Sequence, residues 1–272
     1  MTAMTIDRPA PPSALSIARA RTVLELKLYV REPQQVVFSF AYPVIMMVIF
    51  GSVFGDEIVS PGVTLAEYFV AGIAATGIML TSFQAVGTAI AAEREAGQLE
   101  RLQLLGTPPA AYFAGKAGQV VITTVLQLAL LLAVATTAYD VGLPSDAGRW
   151  STFVWVTVLG ALAGTVLGVA VSGVGSTRAV INGVAGFAVV LQFCSGVFFV
   201  FAELPGWMQQ VAALLPLKWM TQGMRSVFLP EEAAAAEVAG SWEHGMTAVV
   251  LVAWVIIGVV LCVRVFRWRR GV

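Results

Sequence analysis

Few residues in this sequence are equipped for bond-making chemistry. Its 272 residues hold one histidine, His244, and two cysteines, Cys194 and Cys262. A lone imidazole lacks the companion ligand or nucleophile that metal binding or acyl transfer needs. His244 therefore reads as a solvated residue at the outer edge of an apolar run. Both cysteines sit inside apolar runs and read as packed free thiols. No His-Glu-x-x-His or Gly-x-Ser-x-Gly occurs. Gly115-Lys116 closes a stretch that glances at a phosphate-binding loop. That loop needs Gly where Ala110 stands and Ser or Thr where Ala117 stands. The residues thus predict no catalytic group, no metal site and no cofactor held by this chain.

The densest cluster of charge and amide groups is Glu93-Arg94-Glu95-Ala96-Gly97-Gln98-Leu99-Glu100-Arg101-Leu102-Gln103-Leu104-Leu105-Gly106-Thr107-Pro108-Pro109. Leu99, Leu102 and Leu105 repeat every three residues, which puts them on one face of a short helix. Glu100, Arg101 and Gln103 fall off that face. Gly97 can break the preceding helix, and Thr107-Pro108-Pro109 ends the short one. Such a helix carries an apolar ridge and a charged flank suited to a cleft in a partner. The alternative is a surface helix packed on its own protein.

The elements that must hold this loop are membrane spans. Hydrophobic residues make up 58% of the chain and charged ones 12%, too apolar a mixture to cover a water-facing surface. Six stretches reach spanning length: Val36 to Gly55, Phe69 to Ala92, Ala117 to Tyr139, Ser151 to Ser176, Val180 to Ala202, and Gly245 to Val263. None contains Asp, Glu, Lys, Arg or His. The first span has no signal-peptide features before it and is expected to stay in place. Net charge is zero, so orientation rests on distribution. With both termini in the cytoplasm, all but three of the 16 Lys and Arg residues lie inside; the exceptions are Arg149, Lys218 and Arg225.

Two further segments are amphipathic but do not span. Ala14 to Arg31 places Leu15, Ala18, Thr22, Leu26, Tyr29 and Val30 near helical spacing, with Arg19, Glu25, Lys27 and Arg31 elsewhere. It reads as a helix in the inner interface, ended by Pro33, or else as a disordered basic tail. Residues 1–35 form this tail and helix, and 36–272 the six-helix domain. On the outer side, Pro216 cuts Leu204 to Leu229 into two pieces too short to span, which read as re-entrant helices. Trp207, Trp219, Met220, Met224 and Phe228 supply their apolar face. The fold class is an all-α integral membrane protein. In the fourth span, Gly160, Gly164, Gly168, Ser172 and Ser176 recur every fourth position, a ladder that lets a neighbouring helix come close. Because 3.6 residues make a turn, the ladder suits two or three steps of contact rather than one long seam. Generic glycine richness is the alternative. Spans without a charged group leave nothing to couple to an ion gradient. Uphill transport would then draw its energy from a motor on the cytoplasmic side.

Three stretches resemble the membrane subunit of ABC-2 type ABC exporters: Arg31-Glu32-Pro33 with Tyr42-Pro43; Glu93-Arg94-Glu95-x-Gly97-x-Leu99-Glu100-Arg101-Leu102 with Thr107-Pro108 and Gly115-Lys116; and Leu204-Pro205-Gly206-Trp207 with Leu215-Pro216-Leu217 and Met224-Arg225. The likeness runs along the whole chain in order. It departs slightly at Gln103-Leu104, where family members often carry Leu-Leu or Leu-Val. The resemblance implies a half-transporter of the bacterial plasma membrane that pairs with itself as a homodimer. Separate ABC ATPase subunits, carrying ATP and Mg, would dock below. Glu93, Glu95, Gly97, Leu99, Glu100, Arg101, Leu102, Thr107 and Pro108 map onto the coupling loop that meets the ATPase. It also implies a path between protomers near the first and fifth spans, where Phe38, Phe40, Tyr42, Gln192, Phe193 and Phe198 stand. Aromatic walls with one polar group suit a drug-like or lipid-like cargo; the same aromatics could equally face lipid. The nearest branch is that of antibiotic resistance. A polysaccharide or lipid-linked glycan permease, a non-ABC carrier and a membrane scaffold are the competing expectations. Neither metal nor nucleic acid is expected as a partner.

Overall fold

The computed structural model describes residues 13–54, 58–60 and 62–265. Arg8, Arg267, Arg269 and Arg270, which contribute to the orientation argument, lie outside the described residues. Among the described residues the chain is a bundle of helices, six of them long and apolar enough to cross a membrane.

Helix α1 spans Ala14–Val30, capped by Ser13, whose hydroxyl accepts the Ser16 amide. The chain bends at Arg31-Glu32, and α2, Pro33–Phe54, begins on a proline whose missing N–H costs nothing at a helix start. A two-stranded antiparallel hairpin, β1 (Ile58–Ser60) and β2 (Val63–Thr64), leads into α3, Leu65–Met79. A capping box fixes that entry: Thr64 accepts the Glu67 amide, and the Glu67 carboxylate accepts the Thr64 amide at 2.9 Å. One wide turn at Leu80–Gln84, with Ala85 N–H reaching back to the Leu80 carbonyl, joins α3 to α4, Ala85–Glu95. Together they make one central span of 31 residues. It is sequestered by α2, α6, α7 and α10 on most sides.

After α5 (Gln98–Leu104), α6 runs from Pro109 to Ala138 and α7 from Ala147 to Ser172, the latter capped by Asp146 on the Arg149 amide. Helix α8, Thr177–Cys194, is capped by Ser176. Two shorter helices follow, α9 (Gly206–Ala213) and α10 (Pro216–Phe228), separated by the Leu214-Leu215-Pro216 break. The last helix, α11, is His244–Val265 and packs along α7.

Five sequence expectations change. The fifth span stops at Cys194 rather than Ala202. Ser195-Gly196 ends the helix, with Gly196 at φ +70° in the left-handed region that side chains resist. Phe198, Phe199 and Phe201 therefore sit on an irregular segment. The second and third helices reach past the charge-free stretches, carrying Glu93, Arg94, Glu95 and Lys116 on their ends. Charge does enter the interior there: Lys116 and Glu25 are each only 2% exposed.

The packed face of α1 also differs from the expected one. Ala18, Thr22, Leu26 and Tyr29 turn inward as expected, but Leu15 and Val30 point outward, while Glu25 is buried. The reason is α6 beneath it. A Cβ at Gly115 would stand 2.2 Å from Arg21 Cγ, and one at Gly118 2.5 Å from Thr22 Oγ1, so these two glycines let α1 lie directly on α6. The leucine ridge splits as well. Leu99 is buried and Leu102 half-buried on the core of the same chain, while Leu105 is exposed. Finally, every residue of α10 is buried, including Lys218, Gln222 and Arg225, although Trp207 of α9 is exposed.

Candidate functional site

The loop singled out in the sequence folds as a compact unit. Gly97 (φ +70°) ends α4 and Gly106 (φ +69°) ends α5, so two left-handed glycines bracket a helix of seven residues. Ala96 and Gly97 amides close onto Ala92 and Arg94 carbonyls, and the Thr107 amide reaches the Leu102 carbonyl at 3.0 Å. Pro108 then caps α6 and Pro109 opens it. Leu99 and Leu102 anchor the unit inward. Glu95, Glu100, Arg101, Leu104 and Leu105 face outward, with Leu104 79% and Leu105 73% exposed. Exposed leucine pairs flanked by charges are what a docking surface offers.

Behind the loop lies a buried ionic cluster that sequence patterning missed. Lys116 Nζ sits 2.6 Å from Glu25 Oε2 and 2.5 Å from Glu93 Oε1. Arg21 pairs with Glu25 at 2.5 Å, and the Tyr112 hydroxyl donates to Glu93 at 2.7 Å. Two cations and two carboxylates balance, and this balance is what lets them leave water. The signals were present: Gly115-Lys116 at the head of an apolar helix, and Glu25 set in an otherwise basic helix. The partners lie 91 residues apart in sequence, so no local pattern joins them.

Other ties fix the same end of the central span. Arg94 donates to the Ser172 carbonyl at the end of α7, and Thr177 at the start of α8 donates to the Ala91 carbonyl at 3.0 Å. The helix that ends in α5 is thereby bound to α1, α6, α7 and α8 at one level. A displacement of α5 would be felt by all of them.

The small-residue ladder meets two different neighbours. A Cβ at Gly164 would fall 2.0 Å from Ser82 Oγ, and one at Gly168 2.6 Å from the Phe83 carbonyl oxygen. These two steps receive the wide turn of the central span, where Thr81 Oγ1 also meets Thr124 Oγ1 at 3.0 Å. Gly160 instead faces Met220 of α10. Ser172 serves as the acceptor for Arg94.

Of the residues named for a path, the structure joins Tyr42 and Gln192: the Tyr42 hydroxyl donates to the Gln192 side-chain oxygen, and Gln192 donates to the Ala188 carbonyl at 3.1 Å. Above them, Phe198 stacks on Phe50 at 5.0 Å and lies 5.4 Å from Phe193. Phe193 is half exposed, Phe40 half-buried, and Phe38 lies on the outer face of α2. Phe69, 4.7 Å from Phe50, also belongs to this aromatic set; sequence reading missed it because an apolar run does not reveal which way its rings turn.

The opposite end of the bundle carries a second buried ionic set. Arg225, fully buried, pairs with Glu237 at 2.5 Å, donates to the Gly196 carbonyl and lies 5.0 Å over the Tyr68 ring. Lys218 donates to Gln222 and stands 3.5 Å over the Trp219 ring. His244 bonds Ser226 at 2.8 Å. Among the described residues no group of His, Cys, Asp and Glu could hold a metal ion.

Comparison with curated proteins finds no match. The profile of the ABC-2 type transporter, by contrast, matches residues 19–229, from α1 through the bracketed α5 unit to the end of α10. This multi-pass helical membrane chain belongs to the ABC-2 type transporter family, as a permease component.

Proposed function

We propose that this chain is the permease half of an ATP-driven exporter that moves a hydrophobic, drug-like or lipid-like substrate out of the cytoplasm or inner leaflet. It works as a homodimer on two separate ATPase subunits, with both termini in the cytoplasm. The observation that carries this reading is α5. It projects from a helix that is tied by buried charge and backbone bonds to four others, and it presents Glu100, Arg101, Leu104 and Leu105 outward. Force applied to that surface would reach α1, α6, α7 and α8 together, and through the central span the Phe69–Phe50–Phe198 aromatics. Helix α1 then lies in the inner interface, and α9 and α10 re-enter from the outer side. The exposed apolar flanks of α2 and α8, among them Phe38, Ile45, Val190 and Phe193, suit a partner protomer across the path.

The test is reconstitution of the permease with its cognate ATPase in liposomes and measurement of ATP-dependent movement of a hydrophobic dye. Movement that requires ATP supports the reading. Movement driven by an ion gradient without the ATPase would sink it.

A further inference from the structure

Helix α1 is held on the bundle by one face. Glu25 and Tyr29 are buried, and Glu25 takes both Arg21 and Lys116. Gly115 and Gly118 bring α6 against Arg21 and Thr22, so the helix is firmly seated and its opposite face is set. That face is built from two neighbouring rows, each running along the helix at four-residue spacing. Arg19, Val23, Lys27 and Arg31 make the first. Arg31 follows the last helical residue with helical backbone angles (φ −78°, ψ −10°) and so continues the row. Ala20, Leu24 and Leu28 make the second. Every residue of both rows is exposed, Leu24 by 43% and Leu28 by 38%.

The charges in these rows have one sign. The sole carboxylate of α1 is Glu25, which is turned inward. Among the described residues no ion pair engages Arg19, Lys27 or Arg31, and the one exposed carboxylate next to them in sequence is Glu32 at the bend. Their depth is fixed by the chain. Lys27 and Arg31 stand within two helical turns of Pro33, where the first spanning helix begins. A row of cations at the entry of a span, beside a row of leucines, matches a surface that is anionic at the phosphates and apolar just beneath. Long basic side chains reach the headgroups while the leucines enter the acyl boundary.

We propose that the outward face of α1 binds anionic phospholipid headgroups, with phosphates at Arg19, Lys27 and Arg31 and the acyl boundary at Leu24 and Leu28. This rests on the interfacial placement of α1 given above and adds the class of lipid to it. Glu25, Lys116 and Glu93 link α1 to α4, the helix that leads into α5, so the bound headgroups bear on the coupling unit.

Photocrosslinking of the full chain tests this. A diazirine amino acid replaces Leu28, and the protein is reconstituted with its ATPase, and separately without it, in phosphatidylcholine vesicles holding a minor share of phosphatidylglycerol. Adducts are identified by mass. In both samples the expected adducts are lipids, with phosphatidylglycerol over-represented roughly fivefold relative to its share of the bilayer. Lys27→Gln combined with Arg31→Gln should bring it down to that share, and so should high salt with the parent, because exposed charges are screened. The same diazirine at Ile256, on the exposed face of α11, should report the bilayer's own proportions. Phosphatidylglycerol at its bulk share at Leu28, enrichment unchanged in the paired variant, or adducts with the ATPase in place of lipid would each overturn the proposal. Should the paired variant fail to insert, the salt series on the parent decides. The readout involves neither hydrolysis nor export, so failure here leaves the coupling role of α5 intact, and the reverse holds too.

Discussion

Lys116 answers two carboxylates from two other helices, and its removal leaves them to share Arg21 alone. Breaking a buried pair by deleting one partner costs about 3–5 kcal/mol, whereas replacing the whole set by apolar groups is often neutral. Lys116→Met should therefore lower the unfolding temperature in detergent markedly. The double variant with Glu93→Gln, which keeps the Arg21–Glu25 pair, should recover most of it, by a non-additivity that thermal scans of the singles and the double would expose. If Lys116→Met alone unfolds like the parent, the cluster is not a clasp. Gly97 offers a second residue-scale check. At φ +70° a Cβ costs about 1–2 kcal/mol. With open space around it, the penalty of Gly97→Ala is purely conformational and is expected to disturb α5 rather than the core. These residues also mark the limit of sequence reading. Gly97 was legible, because a glycine between two helical patterns has few other uses. Glu25 was not, because pattern alone turns a charge outward, and only the distant Lys116 and Glu93 turn it in.

Among the elements, the glycines of α7 and α8 have opposite meanings although their spacing looks alike. Gly164 receives Ser82 and the backbone of the wide turn, so Gly164→Leu should wedge α7 from the central span and reduce the folded protein recovered from membranes. A Cβ at Gly186 meets nothing within 4 Å, so Gly186→Leu is expected to leave the yield unchanged. Size-exclusion yield of the two variants separates them, and equal yields would refute the ladder as a packing device. Helix existence was legible here from length and hydropathy. What escaped was facing and stopping. The leucines of α5 are spaced for a helix, but the spacing does not say that Leu99 and Leu102 turn toward their own chain. The apolar run through Ala202 reads as continued helix, yet Ser195-Gly196 turns it aside at Cys194.

At the scale of the whole molecule, charged groups gather at the two ends of the bundle, with Arg21, Glu25, Glu93 and Lys116 at one and Arg225, Glu237, Lys218 and Glu243 at the other. The proposed orientation puts the first set in the cytoplasm. A reporter fused after Val272 should be active only if it works in the cytoplasm; activity confined to the outside would invert the scheme. The central claim is that α5 receives the work of ATP hydrolysis. The most direct measurement compares the parent with Leu104→Ala, Leu105→Ala and Glu100→Lys combined, each at an outward residue that leaves Leu99 and Leu102 seated. Co-purification with the cognate ATPase comes first, then export per ATP hydrolysed in liposomes. The account predicts normal insertion in the membrane together with about tenfold weaker ATPase binding, or hydrolysis that no longer drives export. A normal complex with normal coupling in that variant would contradict it.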